Sequence, residues 1–161
     1  ALTGHLVFST IHTNDAASGF TRLLNWNVEP FLIASTVKGI LAQRLVRRIC
    51  KDCKEVYTPS SEELEMIGLD NETDMQFFKG KGCLSCRDTG FKGRIGIYEL
   101  LLMDAKISEL VLNQEPGYKI RKQARKNGMR TLLEDGIIKV NRGDTTISEV
   151  YETLGTTKII I

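Results

Sequence analysis

His5-Leu-Val-Phe-Ser-Thr-Ile11 is the stretch on which the fold reading turns. It is short, mostly apolar, and rich in β-branched and aromatic residues. Strand side chains alternate between faces, so Leu6 and Phe8 face one way and Val7 and Ile11 the other. Apolar residues on both faces predict a buried parallel strand. Immediately after it, Thr13-Asn14-Asp15 supplies N-cap chemistry for a helix. Ala16, Phe20, Leu23 and Leu24 then recur at helical spacing as its core face. Pro30 opens a second helix, with Ile33, Val37, Ile40 and Leu41 on one face. The stretch from Gln43 to Cys50 reads as a strand. Strand, helix, helix, strand is an α/β pattern.

The composition changes at Cys50. All four cysteines and much of the glycine lie between there and about Gly96. Ser60 and Glu63 have capping-box spacing, which predicts a short helix over Ser61 to Ile67. Residues Ile95 to Leu102 read as a returning strand. Beyond Met103, helices are expected over Lys106 to Asn113, Pro116 to Asn127, Leu132 to Arg142 and Thr146 to Leu154. The expected division is therefore a core segment at 1–49, a four-cysteine subdomain at 50–96, a strand and helical region at 97–155, and a tail at 156–161.

The bulk properties exclude several classes. The 161 residues carry 22 basic and 20 acidic side chains, a net charge of +2, so no global field argues for nucleic acid. No apolar run approaches the roughly 18 residues that span a bilayer. The N-terminus lacks the pattern of a signal peptide and starts without Met, as though cut from a longer chain. The expected compartment is the cytoplasm, where thiols stay reduced.

Cys50-Lys-Asp-Cys53 and Cys83-Leu-Ser-Cys86 are two C-x-x-C pairs. Each turn puts two thiolates on one side of a tight loop, and two facing turns give four sulfurs at tetrahedral corners, which suits zinc. Iron would accept the same set. Disulfides, a redox pair and scattered core cysteines are the alternatives; the compartment and the doubled motif argue against them. A closed four-sulfur site leaves no position for substrate, so its role is structural.

The two histidines divide by position. His12 follows the carboxyl end of the expected strand, where ligands of open α/β sheets bind. Its polar neighbours Thr10 and Thr13 belong to the same cluster. His5, at the other end, reads as structural. A histidine near a strand end is also often only a hydrogen-bonding residue, and that reading stays open for His12. No G-x-x-x-x-G-K-[ST] loop and no strand ending in a magnesium-binding carboxylate occur. The basic stretch Lys119 to Arg130 and the acidic run Glu62 to Asp74 read as solvated faces.

Several segments together resemble the secretion ATPase superfamily of type II secretion and type IV pilus assembly. Thr3-Gly-His-Leu-Val-Phe-Ser-Thr-Ile-His-Thr-Asn-Asp-Ala16 is similar to its His box. Val28-Glu-Pro-Phe31 and Leu41-Ala-Gln-Arg-Leu-Val-Arg-Arg48 are similar to the segments that follow. Gly82 to Leu100 is similar to the tetracysteine region of the extension branch, and Gly128 to Gly136 to the C-terminal helices. The resemblance covers about residues 1–155. It implies the C-terminal part of a RecA-like P-loop ATPase core, with Walker A and Walker B motifs upstream. It implies a homo-hexamer working at the inner membrane with platform and assembly proteins, using ATP and Mg2+ that this segment alone does not hold, and no nucleic acid. The family's His-box roles carry over to His12, as a γ-phosphate sensor, and secondarily to His5; by their position beside His12, Thr10 and Thr13 are the expected nucleotide contacts. Arg47 and Arg94 offer themselves as phosphate or interface contacts without entering the expected site. A zinc-ribbon module that binds protein or nucleic acid without catalysis is the competing reading.

Overall fold

The computed structural model describes residues 2–70 and 74–155. The expected tail at 156–161 and part of the acidic run lie outside the described residues. The order of elements is α1 (Ala16–Asn25), α2 (Pro30–Thr36), β1 (Gly39–Ile49), β2 (Lys54–Tyr57), α3 (Ser61–Met66), β3 (Phe77–Gly80), a 3-10 turn (Leu84–Cys86), β4 (Phe91–Leu102), α4 (Ala105–Leu112), α5 (Gly117–Lys126), α6 (Leu132–Asn141) and α7 (Ile147–Leu154). The class is mixed α/β, as read from the sequence. β1 pairs with β4, and β2 pairs with β3 in antiparallel register from Lys54↔Gly80 to Tyr57↔Phe77.

One expectation is not met at the N-terminus within the described residues. Residues 5–13 form no strand, and Leu6, Val7 and Phe8 are 74%, 61% and 89% exposed. A buried parallel strand needs a hydrogen-bonded neighbour and cover on its faces. Among the described residues nothing supplies either. A second correction concerns Ile40 and Leu41, which the helical reading grouped with Ile33 and Val37. Here α2 stops at Thr36, Val37 turns extended, and the strand begins at Gly39. Thr36 and Val37 are both β-branched, which weakens the helix end. At Gly39 a Cβ would lie 2.8 Å from Leu101 O, so the close approach of β1 to β4 requires glycine there. Ile40 is buried and Leu41 exposed, the alternation of a strand.

The chain forms two compact units. The first comprises 1–42 and 99–131, the second 43–98 and 132–161. In the first, α1 packs on α5, α2 on α4 and α4 on α5. Phe20, Ile33, Leu101, Ile107, Val111 and Ile120 are buried in it. Asp15 caps α1 by accepting from Ser18 N at 2.7 Å, and Asp104 caps α4 by accepting from Ile107 N at 2.8 Å. In the second unit, α7 packs on α3 and α6, and α6 meets β3. Its core includes Val46, Ile67, Ile97, Ile147 and Val150. Ser60 and Glu63 make the expected reciprocal capping box of α3.

Candidate functional site

The four cysteines converge. β1 ends at Ile49, and Cys50 N donates to Gly90 O at 2.9 Å, which lays the first knuckle against the second. Lys81 N donates to Cys53 O at 2.9 Å and Asp88 N to Cys83 O at 2.9 Å, closing both turns. Arg87 and Asp88 adopt left-handed φ angles of 53° and 60°, which reverses the chain after Cys86. The 29 residues between the pairs are absorbed by β2, α3 and β3, so a long spacing still returns Cys83 to Cys53. The return is tight: a Cβ on Gly80 would stand 2.0 Å from Gly90 O, and one on Gly90 would stand 2.5 Å from Gly80 O. Only glycine lets these backbones touch.

The four Sγ atoms lie within 4.8 Å of one another. Three pairs are resolved: Cys50–Cys83 at 3.9 Å, Cys53–Cys86 at 3.9 Å and Cys83–Cys86 at 3.7 Å. All four are free thiols, not disulfides. Sulfurs at tetrahedral corners about 2.3 Å from one ion stand about 3.8 Å apart. The cluster therefore fits a metal of zinc's size. Backbone amides point at the sulfurs: Gly82 N donates to Cys53 Sγ, Cys83 N to Cys86 Sγ and Gly90 N to Cys86 Sγ, each at 3.3 Å. Burial pushes the Cys86 thiol up, but the amides of Cys83 and Gly90 outweigh it and bring it down to about 6. That amide donation favours a thiolate, the form that binds metal. Burial pushes Cys53 the other way, up to about 12.

The residues expected at a nucleotide site are not gathered in the same manner. His12, His5 and Thr10 are exposed, and Thr13 is half-buried. His5 Nδ1 stands 2.9 Å from Thr3 Oγ1. His12 makes no hydrogen bond to another described residue, and the Asp15 carboxylate is turned onto Ser18 N.

Two residues escaped the sequence reading. Glu99, 1% exposed, accepts from Ala16 N at 2.8 Å and so anchors the first amide of α1. Glu149 accepts from Arg47 N at 2.9 Å and from Arg47 Nε at 2.8 Å, which commits Arg47 to an internal pair. The Arg47 guanidinium also lies over the Phe91 ring, 4.4 Å from its centroid. A glutamate in a β-rich run was the only visible signal for Glu99. Nothing local marked Glu149, 102 positions from its partner.

Fold and site define a mixed α/β protein with four thiols grouped compatibly with a metal site. The chain belongs to the type II/IV secretion system protein family, whose profile matches residues 1–152. It is 47% identical over 153 residues to the type IV pilus assembly ATPase PilB of Thermus thermophilus, covering 93% of this chain and 17% of that protein. It is 41% identical over 150 residues to the type II secretion system protein E of Pseudomonas aeruginosa, covering 93% of this chain and 30% of that protein. The same identity, length and shares hold for the type II secretion system ATPase E of Vibrio cholerae. The chain thus spans less than a third of the length of these relatives. No helix among the described residues is long and apolar enough to cross a membrane.

Proposed function

We propose that the intact protein is an ATP-hydrolysing motor of type II secretion or type IV pilus assembly, and that this chain is its C-terminal part. The observation that carries the reading is sequence identity of 41–47% to secretion and pilus-assembly proteins over 93% of the chain. In this reading residues 5–11 are an inner strand of a RecA-like sheet, completed by segments elsewhere in the protein. Their exposed apolar side chains support that assignment. His12 then stands at the carboxyl end of that strand, where the nucleotide crevice of such a sheet forms. An imidazole there donates to a phosphate oxygen or orients the attacking water. Thr10 and Thr13 add hydroxyl donors, and His5 lies at the far end as a support. Asp15 and Glu99 position this segment by holding the start of α1.

Cys50, Cys53, Cys83 and Cys86 would hold one zinc ion, which supplies cross-linking and no open coordination position. Residues 50–96 are accordingly a metal-stapled subdomain. The motor works as a homo-hexamer on the cytoplasmic side of the inner membrane, against platform and assembly proteins. Phosphate cradle and magnesium carboxylate come from outside this chain, so hydrolysis needs the intact protein.

The test is His12→Ala in the full-length motor. A phosphate sensor acts mainly in the transition state, so kcat falls about tenfold or more while nucleotide affinity and assembly persist. A purely structural histidine instead lowers the melting temperature and spares turnover per folded molecule. Normal assembly with wild-type turnover would falsify the assignment.

A further inference from the structure

Two helix turns of the first unit, after α1 and after α4, have the same build. In each, the second residue past the helix takes a left-handed φ, Asn27 at 57° and Gln114 at 53°. Val28 N then donates to Leu23 O at 3.2 Å and Glu115 N to Leu110 O at 2.9 Å, the closure of a Schellman turn. Packing brings both turns to one end of the unit. A Cβ on Gly117 would meet Thr21 Oγ1 at 3.1 Å, while Arg121 reaches Asp15 at 3.8 Å, so α5 runs back along α1. Met103 N donates to Lys38 O at 2.9 Å, which joins the end of α2 to the approach of α4 and leaves Phe31 toward Leu112. Large apolar side chains on these turns face solvent: Trp26 is 57% exposed, Phe31 59%, Leu112 48% and Tyr118 67%. Neither the nucleotide reading nor the metal reading uses them.

We infer that this end of the first unit docks a second copy of the chain, the two copies related by a two-fold axis. Area shows first that the occupant is a macromolecule. At about 200 Å2 per aromatic side chain, Trp26, Phe31 and Tyr118 alone leave about 370 Å2 open. A stable dimer covers about 800 Å2 on each partner, a little over half of it apolar, so the patch supplies most of that apolar share. Trp and Tyr are also the side chains in which protein interfaces concentrate affinity. Charge then selects the occupant. Arg22 and Glu29 are exposed beside the patch, opposite in sign, and neither makes an ion pair with a described residue. Arg22 lies against the Trp26 ring, 5.4 Å from its centroid. A partner of one charge would attract one of these groups and repel the other. A second copy turned about a two-fold axis sets each Arg22 against the other copy's Glu29, because in such a contact residue i meets j and j meets i. The hydrogen-bonded turns hold the patch in shape before docking, which lowers the cost of association. The inference goes beyond the motor reading: a ring is built from heterologous contacts, and this surface matches itself.

The experiment is analytical ultracentrifugation of the purified 161-residue chain, without nucleotide. The expected result is conversion from one chain to two as concentration rises from about 1 to 200 μM, with no larger species. Trp26→Asp weakens the pair at least tenfold while the thermal transition stays unchanged. Phe8→Asp, at an equally exposed apolar residue away from these turns, leaves it as it was. Arg22→Glu alone and Glu29→Arg alone each weaken it about threefold or more, and mixing the two variants restores it, since each then meets its opposite charge. A chain that stays single at every concentration overturns the inference, and so does association that ignores Trp26→Asp or yields to Phe8→Asp instead. Charge variants that fail to recover on mixing rule out the two-fold arrangement. A single chain that sediments with neutral phosphatidylcholine vesicles would make the aromatics a membrane-surface patch, which also overturns it.

Discussion

At the scale of single residues, the cysteines and Glu149 make separable demands. Cys83 Sγ lies within 4 Å of both Cys50 and Cys86 sulfurs, so Cys83→Ser removes a corner shared by two edges. The expected outcome is a fall from about one zinc per chain to none, measured on freshly purified, reduced protein by elemental analysis. Glu149 is held below the usual carboxylate range: burial works against its charge, but the hydrogen bonds from Arg47 outweigh that. A carboxylate with a depressed folded pKa contributes stability that is fully present above its unfolded value, near 4.3, and is lost as pH falls through the lower folded value. Glu149→Gln is expected to cost about 1–2 kcal/mol at neutral pH, and the difference from the parent closes in the acid range below roughly pH 4. Arg47 is half-exposed and regains water when its partner goes, which keeps the loss modest. Urea melts of both proteins from pH 7 to pH 3 read the closing gap. A constant difference across that range rules the pairing out as its source.

At the scale of elements, the capping box and the glycine crossing are opposite kinds of feature. The α3 box was legible because Ser60 and Glu63 lie three residues apart and the chemistry is local. Ser60→Ala is expected to destabilise by about 1 kcal/mol, with metal retained. Gly80 and Gly90 were legible only as members of a glycine-rich stretch. Their backbone contact appears once β3 and the second knuckle are folded together. Gly80→Ala is expected to cost about 3 kcal/mol and to lower zinc content, since the clash is with backbone and cannot be relieved by a side-chain rotation. Retention of full zinc content and the parental transition in Gly80→Ala counts against the crossing. The same division explains the other outcomes. Helices α4 to α7 follow caps and breakers that act within a few residues, and they fell close to the expected positions. The strand at 5–11 depends on neighbours far away in sequence, and its apolar pattern alone did not make it one. The start of β1 at Gly39 depends on Leu101, 62 positions later, which no local pattern could reveal.

For the whole molecule, the two units would give a metal bound by the four thiols a local rather than a global reach. All four thiols belong to the second unit, as do the Arg47–Glu149 pair and the α6–α7 contact. Removing zinc with a strong chelator is therefore expected to abolish amide protection over 50–96 while α1, α2, α4 and α5 keep theirs, read by hydrogen exchange. Simultaneous loss in both units contradicts that division. The purified chain is also expected to release phosphate from ATP no faster than a boiled control. Release that survives rigorous repurification would show that the chain holds more of the catalytic apparatus than its sequence motifs suggest. The glycine crossing has a further consequence, on an evolutionary timescale. Gly80 and Gly90 have a physical reason to be glycine only while the backbone before and after the second knuckle must be drawn together. In a lineage that discards the thiols that constraint lifts, so both positions should diversify in step with the loss of the cysteines and not before it.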